Sequence, residues 1–333
     1  MSYKESIIEN NKSKKDIINF EKASFFLNDR GIKKIPSELR KPKLNFNNEP
    51  NLLRRITWRL KEDSQYFRNV VQISFALLVI WIGIEFYLFI KWGESGGSFP
   101  YFGRPAGVEG FLPISALISL KYWFQTGIIN EIHPSGLIIF VAIVATGLLL
   151  KKSFCSWLCP VGYISEALWM FGKKLFGKNI SVNKFLDYPL RSLKYLLLAF
   201  FVWAIFWTMD TEALKAFIYS PYNKVADIKM YYFFENISQF ALWTIIILVL
   251  LSVVIKNFWC RYLCPYGGLL GVLSWLSPIK IKRAESNCVN CDLCTKACPN
   301  TIKVHKVKTV WSDECTRCLE CVQACPVKKT LEF

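Results

Sequence analysis

The sequence predicts an all-α polytopic membrane domain followed by a small, cysteine-rich α+β domain. Three observations lead there. Of 333 residues, 53% are hydrophobic and 16% aromatic; 42 Lys+Arg face 25 Asp+Glu, a net of +17; and there are twelve cysteines. Apolar and charged residues at these levels must be segregated along the chain. Disorder is excluded by the apolar content, and the cysteines are too sparse for a disulfide scaffold.

Residues 1–69 form a polar tail with sixteen Lys/Arg against nine Asp/Glu. It has no apolar core of the ~7–15 residues that a signal peptide needs, so this end is expected to stay in the cytoplasm. Within residues 51–64, Leu53, Ile56 and Leu60 alternate with Arg54, Arg55, Arg59 and Lys61, the pattern of a basic amphipathic juxtamembrane helix.

The membrane domain is expected over residues 70–278. Four segments, 70–89, 134–150, 188–209 and 237–255, fall in the range of roughly 17–25 residues that a transmembrane helix requires. A fifth, 111–129, contains Pro113, Lys121 and Gly127 and reads as a re-entrant or interfacial helix. With the N-terminus inside, segments 1–69, 151–187 and 256–333 hold 34 of the 42 basic residues, which puts both termini in the cytoplasm. The positive charge therefore reports topology and a lipid bilayer rather than a nucleic-acid partner.

Spans two and four each run into the same motif. Phe154-Cys155-x-x-x-Cys159-Pro160-x-Gly162 is matched by Trp259-Cys260-x-x-x-Cys264-Pro265-x-Gly267, and about twelve mostly apolar residues follow each. The membrane domain thus reads as internally duplicated, with both motifs at the cytoplasmic face. The i, i+4 spacing puts both sulfurs of a pair on one helical face. Brought together, Cys155, Cys159, Cys260 and Cys264 form a candidate third metal or redox site for zinc, copper(I) or an iron–sulfur cluster; buried structural thiols or a reversible disulfide are the alternatives.

Residues 279–333 hold the other eight cysteines. Cys288-x-x-Cys291-x-x-Cys294-x-x-x-Cys298-Pro299 is repeated as Cys315-x-x-Cys318-x-x-Cys321-x-x-x-Cys325-Pro326. This is the spacing of a two-cluster bacterial ferredoxin-like domain, in which the cysteine before proline reaches the other cluster. Cys288, Cys291, Cys294 and Cys325 are expected to hold the first [4Fe–4S] cluster. Cys315, Cys318, Cys321 and Cys298 are expected to hold the second. Nearby Lys296, Lys303, Lys306, Lys308, Lys328 and Lys329 offer a docking face for an acidic redox partner or a solvated basic surface.

Only two histidines occur, His133 and His305, expected on opposite faces of the membrane, so a His-ligated transmembrane haem is not expected. No C-x-x-C-H haem motif, nicotinamide loop, phosphate loop or flavin motif is present. Glu85 and His133 lie toward the outer side and are candidates for quinol or proton handling. Arg191 and Lys194 are expected to snorkel toward the cytoplasmic interface.

The twin C-x-x-x-C-P motifs with a double ferredoxin motif resemble the membrane polyferredoxin family, a group that includes the NapH-type quinol dehydrogenase subunit, the membrane half of NosR and CcoG-type accessory proteins. The stretch Arg104-Pro-Ala-Gly-Val-Glu109-Gly-Phe-Leu-Pro113 and His133-Pro-Ser-Gly136 also look like family segments, and the resemblance covers about residues 70–330. It implies a 4Fe–4S electron carrier of the bacterial cytoplasmic (inner) membrane, an electron-transfer component rather than a complete enzyme, serving a respiratory chain. Such a subunit moves electrons between the quinol pool or a cytoplasmic donor and a respiratory or extracytoplasmic reductase. The alternatives are a copper-reducing or assembly factor for an oxidase and a redox-sensing regulator. The NosR type carries a flavin domain before its spans and CcoG types continue beyond the clusters, so the NapH type is the nearest pattern.

Overall fold

A computed structural model describes residues 40–41, 51–177, 179–180 and 182–332. Most of the polar tail lies outside these residues. The described chain is mostly helical and divides into two compact units. One contains the N-terminal residues through Val71 with Ile279–Phe333, and the other is Gln72–Pro278.

Helix α1 (Leu52–Glu62) starts where the Asn51 side chain accepts from the amides of Leu53 and Arg54, and it ends with Arg59 and Lys61 in its last turn. Leu52 and Leu53 are exposed. Helix α2 (Ser64–Glu94) is 31 residues long, about 47 Å at 1.5 Å per residue. Helix α3 (Pro113–Thr126) opens on proline and stops at Gly127, whose φ of 72° closes the turn. This is the segment 111–129 that reads as re-entrant or interfacial. Its Lys121 is buried, and the ammonium donates to the carbonyls of Ile205 and Phe206, each at 3.1 Å, and of Met209. The first two carbonyls end α7 (Lys184–Phe206), so the lysine both pairs with orphan acceptors and opposes the helix dipole.

Helix α4 (Pro134–Leu150) has 17 residues, about 25 Å. It is followed by the single turn α5 (Ser153–Trp157) and α6 (Pro160–Phe176). After α7 come α8 (Thr211–Ile218), α9 (Pro221–Lys224), α10 (Ala226–Glu235) and α11 (Gln239–Val254). Helices α10 and α11 meet at 83°, because Ser238 starts a new helix by accepting from the Ala241 amide. A wide turn, Trp259–Leu263, leads to α12 (Pro265–Leu273). By length and apolarity α2 and α7 can each cross a bilayer, and the bent α10–α11 pair makes a third candidate. Against the four spans expected from hydropathy, length and apolarity give two or three candidates, with α4 a shorter apolar helix.

Each of α4 and α11 packs against the half-helix that follows the other. A Cβ on Gly147 of α4 would meet the Leu270 side chain of α12 at 2.7 Å, and a Cβ on Gly172 of α6 would meet the Val253 carbonyl of α11 at 1.9 Å. The half-helices are unequal, 17 residues for α6 against nine for α12, where the sequence pattern gave each about twelve.

In the other unit, β1 (Lys282–Arg283) pairs antiparallel with β2 (Leu331–Glu332). Two single-turn helices, α13 (Leu293–Ala297) and α14 (Glu320–Ala324), complete the small α+β fold. Its core joins Ile281, Val304, Val310, Val327 and Leu331 to the cysteines.

Candidate metal centres

None of the twelve cysteines is in a disulfide. Eight line two cavities in the C-terminal fold. One cavity is bordered by Cys288, Cys291, Cys294 and Cys325 with Val289, Val327 and Leu331. The other is bordered by Cys298, Cys315, Cys318 and Cys321 with Ile281, Val304 and Val310. Each motif supplies three sulfurs to one cavity, and its cysteine before proline faces the other. The local backbone explains how so few residues can surround a cavity. Asn290 and Asp292 in the first motif, and Arg317 and Leu319 in the second, all have φ between 52° and 62°. A left-handed residue on either side of the second cysteine turns the chain twice and aims amides inward. None of the four is glycine, so the loops hold strain that the surrounding structure must offset.

Burial pushes the Cys294 and Cys298 thiols up to about 11 and raises Cys318 and Cys321 as well. Such thiols are poor nucleophiles at neutral pH, which argues against a thiol-exchange site. Backbone amides are nevertheless aimed at the sulfurs: Leu293 toward Cys291, Asn300 and Ile302 toward Cys298, Glu320 toward Cys318. Amide donors on sulfur suit thiolates bound to iron and tune a cluster's potential. Among the described residues no three His, Cys, Asp or Glu side chains converge on a single metal ion. Three cysteines of one motif with the fourth of the other is the donor set of a [4Fe–4S] cluster.

Cations reach this unit from the N-terminal segment, a feature that cysteine spacing could not reveal. Lys41 donates to the Val322 carbonyl at 2.7 Å and lies within electrostatic range of Cys325 and Cys321. Gln65 donates to the Cys318 carbonyl at 2.7 Å. Arg68, buried, lies 3.5 Å from Glu320 and within range of Cys318. With a cluster in the second cavity, Arg68→Gln removes a nearby positive charge and makes that cluster harder to reduce. Potentiometric titration followed by EPR is expected to show a more negative midpoint for one of the two ferredoxin centres.

The other four cysteines meet in the second unit. Cys260 lies within electrostatic range of Cys155, Cys159 and Cys264, and of the Lys152 ammonium. The pairs do not share a continuous helical face, contrary to the i, i+4 reading. Cys155 is in α5, whereas Cys159 and Cys264 are extended (φ −68°, ψ 119° and φ −71°, ψ 111°) and cap α6 and α12. The proline after each disfavours helix at the cysteine and breaks the chain there. The glycine of each C-P-x-G has a steric reason. A Cβ on Gly162 would lie 2.1 Å from the Cys155 carbonyl oxygen, and one on Gly267 would lie 3.0 Å from that of Cys260. The Gly267 amide donates to Cys264 Sγ at 3.4 Å.

Two polar anchors hold the intervening residues. Gln72 of α2 donates to the Ser156 carbonyl at 2.9 Å. Asp187 of α7 accepts from Arg261 at 2.9 Å and Tyr262 at 2.6 Å, the residues after Cys260, and also pairs with Arg191 at 2.6 Å. Arg191 thus serves an ion pair. Lys194 does not snorkel: it is fully buried, and a Cβ on Gly268 of α12 would lie 3.4 Å from its carbonyl oxygen.

His133 is buried in a polar network at the start of α4. Its Nε2 donates to the Asn223 carbonyl at 2.7 Å, and its Nδ1 lies 3.4 Å from Glu109 and 3.1 Å from Arg104. Arg104 also pairs with the buried Asp227 at 2.7 Å. Glu85, partly exposed on α2, is not among these groups. Burial opposes the His133 charge, but Glu109 and the Asn223 carbonyl outweigh it and hold the pKa above 6.5. Burial likewise opposes the Glu109 charge, but His133, the Gly136 amide and Arg104 hold that pKa below 4.5. The stability from charged His133 is full below 6.5 and fades as pH rises through the raised value. That from Glu109 is present above 4.5 and fades as pH falls through the lowered one. The melting-temperature advantage of wild type over His133→Gln is therefore expected to shrink between about pH 6 and pH 9.

Two cavities, each lined by four cysteines shared between C-x-x-C-x-x-C-x-x-x-C-P motifs, define a 4Fe–4S protein of ferredoxin type. Residues 280–326 match the 4Fe-4S dicluster domain, and residues 132–179 and 238–284 both match the 4Fe-4S binding domain. YccM of Escherichia coli strain K12, which carries a provisional electron-transport name, is 42% identical over 279 residues, 84% of this chain and 78% of YccM. Ferredoxin-type protein NapH of Haemophilus influenzae is 25% identical over 278 residues, 79% of this chain and 87% of NapH. Protein NirI of Paracoccus denitrificans is 28% identical over 234 residues, 67% of this chain but 33% of NirI. No solved structure matches. The chain belongs to the membrane 4Fe–4S polyferredoxin family that includes YccM, a membrane protein with an iron–sulfur electron-transfer role.

Proposed function

We propose that this protein is an electron-transfer subunit of a bacterial cytoplasmic membrane, multi-pass and internally duplicated, with both termini in the cytoplasm. Cys288, Cys291, Cys294 and Cys325 hold one [4Fe–4S] cluster and Cys315, Cys318, Cys321 and Cys298 hold the second. The observation that carries this reading is the division of eight cysteines between two cavities, three from one motif and one from the other. When bound, each cluster supplies a one-electron couple. The protein's own residues fix the sulfurs, exclude water through Val304, Val310 and Val327, and bring Arg68 and Lys41 near the thiols.

Electrons enter from the quinol pool or a cytoplasmic donor and leave toward a respiratory or extracytoplasmic reductase. The positive-inside charge distribution and the family membership support this placement. The test is anaerobic reduction of the purified, detergent-solubilised protein by a menaquinol analogue and, separately, by a reduced low-potential ferredoxin. Bleaching of the cluster absorbance by either donor is expected. If neither bleaches it while dithionite does, the assigned donors are wrong.

A further inference from the structure

We propose that Cys155, Cys159, Cys260 and Cys264 hold a third [4Fe–4S] cluster, with the buried Lys152 as its charge partner. Cys155, Cys159 and Cys264, from two separate stretches of chain, all lie within electrostatic range of Cys260; none of the four is in a disulfide, and both stretches match a 4Fe-4S binding domain. Four thiolates are the donor set of a [4Fe–4S] cubane, and the two motifs supply it only together.

The surrounding backbone is organised for this purpose. Lys151, where α4 ends, has φ 59° and ψ −152°, a region that is essentially glycine's. Asn257, three residues before Cys260, has φ 53°. A left-handed residue thus swings the chain into each motif. The second cysteine of each pair caps a helix, so the positive ends of α6 and α12 face the sulfurs, and amides of Val161, Gly162 and Gly267 are aimed at them.

Charge supplies the second argument. Four thiolates around a 2+ core leave a dianion, and one added electron takes the core to 1+ and the site to a trianion, with no bond made or broken. A dianion at the edge of a hydrophobic domain needs nearby positive charge. Lys152 is only 3% exposed, and its Cε lies 3.8 Å from the place a Cβ on Gly267 would occupy, beside the Cys260 carbonyl. The assignment deepens the electron-carrier reading, but iron content tests it separately.

The experiment is iron, sulfide, zinc and copper analysis of the anaerobically purified full chain, with EPR after dithionite reduction. About twelve irons per chain are expected in the wild type and about eight in Cys155→Ser/Cys260→Ser, with the signals of the ferredoxin pair unchanged. Lys152→Met, which keeps all four thiols, is expected to retain about twelve irons while the midpoint of one centre becomes more negative. About eight irons in both wild type and double variant, or a single zinc or copper lost from the variant, would overturn the third cluster. An unshifted midpoint in Lys152→Met would overturn the role of the lysine. Loss of iron from the ferredoxin motifs alone would count against the electron-carrier reading and leave this site standing.

Discussion

Gly162→Ala is expected to be among the most damaging single-methyl changes in this protein. The added Cβ would lie 2.1 Å from the carbonyl oxygen of Cys155, a distance no side-chain rotation relieves because both groups are backbone-fixed. Either α6 moves or the Cys155 turn opens, and both separate the two sulfurs of that motif. Overpacking of a well-packed site costs ~1–3 kcal/mol, and the upper end or beyond applies where the obstacle is backbone. The matching Gly267→Ala meets the Cys260 carbonyl at 3.0 Å and needs a smaller shift, at about 1 kcal/mol. Gly172→Ala is the control, since its Cβ would lie 1.9 Å from the Val253 carbonyl and so disturbs the α6–α11 contact without touching a sulfur. Thermal melts in detergent should rank Gly162→Ala and Gly172→Ala well below Gly267→Ala. Equal melts for all three would contradict the close approach in the first motif.

Cys325→Ser is expected to remove the cluster of the other motif. Cys325 borders the same cavity as Cys288, Cys291 and Cys294, although it follows Cys321 by only four residues. Its loss should therefore take about four irons from the first site and leave Cys298, Cys315, Cys318 and Cys321 loaded. Cys298→Ser should do the reverse. EPR of each reduced variant is expected to show one isolated centre in place of two coupled ones from this pair. Each variant distinguishes crossed ligation from two self-contained motifs when combined with a second change. Adding Cys291→Ser to Cys325→Ser should cost no further iron, whereas adding Cys318→Ser should empty the module.

The division into cavity quartets follows sequence spacing closely, because cluster ligation depends on a few local turns. What makes those turns was not legible. Arg317 and Leu319 are ordinary residues that adopt left-handed backbone only because the fold holds them there. The membrane motifs were legible as cysteines, yet their geometry was misread, because the proline that ends each motif breaks the helix that would align the sulfurs. Asp187 gathers Arg261 and Tyr262 from 74 and 75 residues away, and no local pattern marks a long-range ion pair. Lys121 looked like a flaw in an apolar segment until the carbonyls at the end of α7 gave it a partner. The network around His133 was half visible: the histidine stands out, but Asp227 and Asn223 reach it from a different part of the chain. Hydropathy marks residues 237–255, which α11 fills, but not the 83° turn from α10 that precedes them.

The central claim is that the C-terminal eight cysteines carry a pair of [4Fe–4S] clusters. It is tested most directly by low-temperature EPR of the dithionite-reduced full chain in which Cys155 and Cys260 are serine. The account predicts about eight irons per chain and a spectrum broadened by magnetic coupling between two reduced centres. Zinc in place of iron at these cysteines, or a single uncoupled centre with about four irons, would contradict it.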